Sequence, residues 1–505
     1  MESIWTKNKE IPTYPSLDEN ILTDTIVIGG GMCGILTAFM LSMEGHEVVL
    51  FEKDRIFSGQ SGRTTAKLTL QHGCIYNELI QKMGQKKARE YAEANSFAIK
   101  EFMDLADSLK IDCGMTLKSS YIYSVCEKTR MYEEYRACLS LGLDCEFKTD
   151  TELPFDISGA VEMKNQACFN PVDFICGLLK NIPSNLKIFE NTNVISVKDY
   201  TLECISHINN EQKTFTAASK QIVFCTNFPF INSYGMYFAR MHRERSYVLA
   251  LEGDTKINDM YIGISPETNH DNHDKELPKY ANLSFRSCRI QGDEILLLGG
   301  EGHRTGYNTD GGRYSKLKNI ADELFPSSKI TCMWSAQDCI TPDKIPYIGR
   351  YSQNAPDGWY CATGFMKWGM SSSMLAAKII NDIINRKKII YPLFDTSRFS
   401  IQDIGGVAKE GKVAIKGIAK ENLTISRDNI DSIPIGNGKI INADGIDVGV
   451  YRESNSQYYT VDSACPHMGC RLEWNQDELS WDCPCHGSRF DYKGNLLDNP
   501  AQSNI

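Results

Sequence analysis

The stretch DTIVIGGGMCGILTAFMLSM, residues 24–43, restricts this chain more than any other. From Thr25 to Met43 no charge appears over 19 positions, long enough to cross a bilayer as one continuous helix. Three consecutive glycines, 29–31, break that continuity. They divide the run into a short β-branched strand, DTIVI, and an apolar helix, ILTAFMLSM. Gly29, Gly31 and Gly34 then fit G-x-G-x-x-G, a turn that brings backbone close to a pyrophosphate at a helix N-terminus. A second strand, EVVLFEK, ends with Glu52 and Lys53, about twenty residues on, where a carboxylate would accept hydrogen bonds from a ribose hydroxyl. A glycine-rich turn alone can be only a turn. With strand, helix and Glu52 in order, a dinucleotide site is the stronger reading, although the fingerprint does not separate FAD from NAD.

With 505 residues, 42% of them hydrophobic, the chain can build two or three cores. Its net charge of −10 argues against a nucleic-acid or anionic-membrane partner, either of which needs a basic footprint. The start, MESIWTKNKE, has no apolar leader, and the expectation is a cytoplasmic protein without a membrane span. Most of the 18 cysteines are scattered and read as buried small hydrophobes or free thiols in a reducing compartment.

Three further segments bear on the dinucleotide. GQSGRTTAK (59–67) is a small-residue loop with hydroxyls and cations, suited to a pyrophosphate and the edge of a ring. QIVFCTN (221–227) reads as a buried strand ending in small polar groups, Thr226 among them. Near 359–380, a strand enters a loop from Gly364 to Gly369 and then a helix with Met370, Met374, Ala377, Ile380 and Ile384 on one face. A helix N-terminus there would stabilise negative charge on a reduced flavin.

In the order of these segments the chain resembles the D-amino-acid oxidase-like family of FAD-dependent oxidoreductases, which includes sarcosine and glycine oxidases. The resemblance covers roughly residues 20–395. It implies Gly29, Gly31, Met32 and Cys33 at the pyrophosphate, Glu52 at the adenosine ribose and Val194 against the adenine. It also implies Arg63, Thr64 and Thr65 beside the phosphates and ring, and Lys367, Trp368, Gly369 and Met370 near the flavin pyrimidine. The expected fold is an α/β Rossmann-like FAD-binding domain (about 20–75, 150–235 and 330–395) with a discontinuous α+β substrate domain (about 76–149 and 236–329). Residues 76–110 read as one long amphipathic helix whose apolar stripe is core. His303, Arg304 and Lys67 are the candidates for substrate chemistry, with a solvated loop an equal reading for the first two. NHDNHD (269–274) reads as a surface loop.

After a linker (396–430) the chain turns to short strands over 431–505, an all-β module ending in two loops, CPHMGC (465–470) and CPCHGS (483–488). Cys465, His467, Cys483 and His486 offer two thiolates and two imidazoles. A structural zinc site is the bland reading, but C-x-H is too short a bite for one tetrahedral ion. Two irons remove the difficulty, with both cysteines on one and both histidines on the other. That is the Rieske [2Fe–2S] pattern, and the region is similar to the Rieske proteins of cytochrome bc complexes. The resemblance implies a Cys470–Cys485 disulfide clamping the loops and a hydrogen bond from Ser488 to a cluster sulfur. Where the high-potential relatives have tyrosine, this chain has Phe490. Rieske oxygenases lack the paired extra cysteines and need a second iron site that is not recognisable here.

The expected activity is therefore oxidation of a small organic substrate, at a C–N bond of an amine or amino acid, with electrons passing singly from FAD through the cluster to an external acceptor, a protein or quinone-like molecule. The alternatives are a reductase fed by a donor through the cluster, and a redox sensor. Oligomeric state is not legible.

Overall fold

The structure, a computed structural model, describes all residues except 210, 267–277, 291, 309, 389–390, 399–429 and 444–445. The NHDNHD loop and most of the expected linker lie outside the described residues.

The strand Ile21–Ile28 lies inside a parallel sheet, between Val48–Phe51 and Glu211–Phe224. Leu186–Phe189 continues the sheet on one side and Trp359–Thr363 on the other, both parallel, and Tyr347–Arg350 closes it antiparallel. The last four residues of Ile21–Ile28 and all of Val48–Phe51 are buried. Sheets covered on both faces require such continuous apolar runs. On one face the helix Met32–Met43 packs against Gly369–Ile384, joining the first strand–helix unit to the last.

A second sheet of nine strands runs beside the first. At one end of it the edge strand Lys329–Ile340 pairs antiparallel with His242–Glu252, which pairs on its other side with Asp293–Arg304. The sheet also takes in Lys67–Leu68, Thr116–Ser124 and Gly159–Cys168. The single helix expected over 76–110 is two, Ile75–Met83 and Gln85–Ser108. Gly84 between them has φ of +83°, a conformation that ends one helix and redirects the chain into the next. A hydrophobic stripe cannot reveal that break, because the stripe resumes in nearly the same phase.

The C-terminal region is all-β. Asn437–Ala443, Ile446–Arg452 and Tyr458–Asp462 form one antiparallel sheet, and Glu473–Asn475, Ser480–Asp482, Arg489–Asp491 and Leu496–Asp498 a second. Tyr451, Trp474, Trp481 and Phe490 fill the space around them together with the loop cysteines. This small unit is seated on the rest of the protein. A Cβ at Gly306 would meet Pro484 at 2.5 Å, and one at Gly487 would meet the Arg243 side chain at 2.7 Å. Glycine at both positions lets the two surfaces close. Asp477 adds charge complementarity, accepting the amides of Gly312 and Arg313 at the start of the helix Arg313–Leu324. No helix among the described residues is long and apolar enough to cross a membrane.

Candidate active site and metal centre

The glycine turn is packed to its limit. A Cβ on Gly34 would lie 1.8 Å from the Gly29 carbonyl oxygen, and Gly29 itself has φ of +110°. Helix Met32–Met43 therefore starts directly against the turn, and its N-cap, Gly31, contributes no side-chain cap. The Met32 amide donates to Ser61 Oγ at 2.9 Å, so the loop expected beside the phosphates does reach the helix N-terminus. Glu52 Oε2 accepts the Gly30 amide at 2.7 Å, which fixes the carboxylate under the turn.

These groups open into a cavity of about 690 Å³, within the range of cofactor sites. Gly29, Gly31, Met32 and Cys33 line it, as do Glu52 and Lys53, Arg63, Thr64 and Thr65, Val194 and Thr226. Lys367, Trp368, Gly369 and Met370 line it from the opposite end of the chain. Of the residues expected at the cofactor, Gly34 and Gly364 do not face the cavity. Gly34 is covered by the turn, and a Cβ on Gly364 would meet Thr341 at 2.4 Å. The glycine cradle, the helix N-terminus behind it and the ribose-type carboxylate together fit a dinucleotide.

The cavity holds several ionisable groups. Burial, joined by the Arg286 guanidinium beside it, brings the Lys67 ammonium down to about 7. Its Nζ donates to the Tyr261 carbonyl at 3.1 Å and to Ser284 Oγ. Lys367 pairs with Glu244 at 3.1 Å. Burial also pushes the Asp338 carboxyl up to about 7, against the pull of Lys367. Trp368 stacks on His72, with centroids 4.6 Å apart and rings within 16°. His303 is placed otherwise. It stacks on Tyr247, with Nε2 3.0 Å from the Tyr247 hydroxyl and Nδ1 2.7 Å from the Arg304 carbonyl. Neither His303 nor Arg304 lines the cavity, whereas Lys67 does.

The two C-terminal loops bring Cys465, His467, Cys483 and His486 together. The Cys465 thiol is lowered to about 7 by hydrogen bonding to Cys483, which sits beside it. The imidazoles lie 4.9 Å apart, nearly perpendicular. Burial lowers His467 to about 4 and His486 to about 3, so both are neutral at physiological pH, the state a metal ligand needs. Both Nδ1 atoms are buried and lack a hydrogen-bond partner. Buried polar atoms are rarely left so, and two of them beside paired thiols fit an iron–sulfur cluster. The Sγ atoms of Cys470 and Cys485 lie 2.20 Å apart.

The surroundings of the histidines were not legible in the sequence. His467 Nε2 is 2.9 Å from the Asn232 side-chain amide. Phe238 packs edge-on to both rings, 6.4 Å from His467 and 5.7 Å from His486. Asn232 and Phe238 lie more than two hundred residues before the loops, in a stretch with no motif of its own. Nor did any local pattern mark Arg245 and Arg489. These two buried cations share Glu478 and Asp498 between them, and Arg489 also pairs with Asp482 at 3.0 Å.

A nucleotide cradle joined to a two-cysteine, two-histidine centre defines a flavin- and iron–sulfur-dependent oxidoreductase. The chain belongs to the DAO family of FAD dependent oxidoreductases, which it matches over residues 24–383, and it carries a Rieske [2Fe-2S] domain matched over 428–505. Its cofactors are accordingly FAD and a [2Fe-2S] cluster. It is similar along its length to a Bacillus subtilis (strain 168) protein, YhfW, named as a Rieske 2Fe-2S iron-sulfur protein. The two are 34% identical over 99% of this chain and 96% of the relative. In fold it resembles the glycine oxidase of Geobacillus kaustophilus, at 18% identity and a TM-score of 0.59, over 75% of this chain and all of that one. It also resembles the L-proline dehydrogenase of P. horikoshii, at 19% identity and a TM-score of 0.56, over 76% of this chain and 98% of that one.

Proposed function

We propose that this protein is a dehydrogenase for a C–N bond of a small amine or amino acid, with electrons leaving one at a time to an external protein or quinone-like acceptor. FAD supplies a two-electron acceptor and the [2Fe-2S] cluster a one-electron relay between the flavin and that acceptor. The observation that carries this reading is the seating of the cluster loops. Both histidines pack against Phe238, and the flanking Pro484 and Gly487 are pressed onto Gly306 and Arg243. A one-electron centre held this way serves the flavin module directly.

Cys465 and Cys483 would hold one iron of the cluster and His467 and His486 the other, with a Cys470–Cys485 disulfide tying the loops. The C–N substrate class is supported by fold analogy with glycine oxidase and L-proline dehydrogenase. Within the cavity Lys67 is the group suited to the substrate. Its Nζ, brought to about 7, can accept a proton from a substrate ammonium at neutral pH while Tyr261 and Ser284 hold it in place.

The test is a panel of amines and amino acids with an artificial one-electron acceptor, run on the wild type and on His486→Ala. The expected result is turnover by the wild type, and a variant that still bleaches its flavin with substrate but no longer reduces the acceptor. Flavin reduction only by a low-potential donor, with no response to any amine, would reverse the assigned direction.

A further inference from the structure

The cavity has a wall that no dinucleotide-binding pattern accounts for. Leu496, Leu497, Asp498, Asn499, Ala501 and Gln502, at the end of the Rieske module, line it alongside the glycine turn. We propose that this terminal segment is a built part of the FAD site, so that flavin is retained only while the iron–sulfur module is docked. The inference rests on FAD occupying the cavity described above.

Three anchors carry it, and each sits next to a residue of the nucleotide cradle. Lys53 Nζ, one residue beyond Glu52, donates to the Leu497 carbonyl at 3.4 Å. Gln60 Nε2 donates to Asp498 Oδ1 at 3.0 Å, and Gln60 directly precedes Ser61, which binds the helix N-terminus through the Met32 amide. Asn499 Nδ2 donates to the carbonyls of Phe228 at 2.7 Å and Thr226 at 3.3 Å, and its Oδ1 accepts from Arg243 at 2.9 Å. The segment thus spans the adenosine side, the phosphate loop and the end of strand Glu211–Phe224.

Asp498 is the firmest of these contacts. Burial opposes its charge, but Arg489, Arg245 and Arg243 together hold its carboxyl well below the usual range. A carboxylate so pinned cannot leave Gln60 without the whole module shifting. Lifting the module away would open the cavity along the dinucleotide and remove Leu496 and Leu497 from it. By linkage, FAD that touches both modules must strengthen their docking by the same factor as docking strengthens FAD binding.

The experiment compares hydrogen exchange in the full-length holoprotein with that in the flavin-stripped chain, the cluster spectrum being recorded in both. With FAD bound, the Leu497 and Asp498 amides should exchange at least tenfold more slowly. In parallel, Asn499→Ala should release FAD at least tenfold faster on dilution, read from the fluorescence of the freed flavin. Its cluster EPR signal should match the wild type, which separates lost anchoring from a lost module. Equal exchange with and without flavin, together with wild-type flavin release from Asn499→Ala, would overturn the proposal. Neither readout depends on turnover, so a failure of the C–N substrate assignment leaves this test intact.

Discussion

Gln337 donates its side-chain amide to the carbonyl of Gly487 at 2.8 Å, one residue past His486. The same side chain accepts from Arg245 Nη2 at 2.9 Å and Thr305 Oγ1 at 3.0 Å, and its backbone amide donates to Gln60 Oε1 at 2.7 Å. One fully buried glutamine therefore links the cluster loop, the strand His242–Glu252 and the phosphate loop. Gln337→Leu leaves Arg245 and the Gly487 carbonyl short of a partner, at about 1–3 kcal/mol for each buried group. The expected outcome is a lower unfolding midpoint in denaturant, with cluster absorbance lost and flavin released in the same transition. Full stability in the variant would mean that water replaces the side chain.

Lys67 gives a pH dependence. Its pKa falls from the ordinary 10.5 to about 7, so the neutral amine that accepts a proton accumulates as pH rises through about 7. Substrate-dependent flavin reduction should rise across that region. Lys67→Met should lower its rate at least ~100-fold and flatten the profile. Between pH 7 and 10.5 the unfolded chain binds a proton that the native chain lacks, so wild-type stability should rise with pH relative to Lys67→Met. A variant with an unchanged pH profile would remove Lys67 from the chemistry.

Ser488 is placed to tune the cluster potential. Its Oγ already accepts the Ala501 amide at 3.0 Å, which leaves the hydroxyl proton for Cys465, whose thiol it helps to lower. Hydrogen bonds to cluster sulfur favour the reduced state. Ser488→Ala should lower the midpoint in an EPR-monitored titration of the full-length protein. Phe490 is fully buried in the same cluster of residues as Cys465 and Cys483 and has no hydroxyl to donate. Phe490→Tyr should raise the midpoint. A fall, with the signal intact, would place that ring away from the sulfur.

The buried charges at the module junction are paired closely enough that removing one is costly. Arg489 Nη1 meets Asp498 at 3.0 Å and its Nε meets Asp482 at 3.0 Å, with all three side chains largely buried. Arg489→Met strands those carboxylates, and losses of about 3–5 kcal/mol are usual for such a break. The variant is expected to lose cluster content on expression at 37 °C, measured as iron per chain. Wild-type iron content and unfolding midpoint would show that neutralised acids are tolerated there.

What the sequence determined by itself was local. The Gly29–Gly34 turn, its flanking strand and helix, and Glu52 lie within thirty residues, and backbone sterics alone force their arrangement. The four candidate cluster ligands sit in two short loops whose spacing already implies paired donors. Tertiary structure decided everything that depends on distant chain coming together. It set His303 against Tyr247 and Lys67 in the cavity. It turned the histidines onto Phe238 and brought Asp498 to Gln60, 438 positions away. Such contacts leave no periodicity or motif in either partner, because their geometry arises only when two sheets and a β module pack into one body.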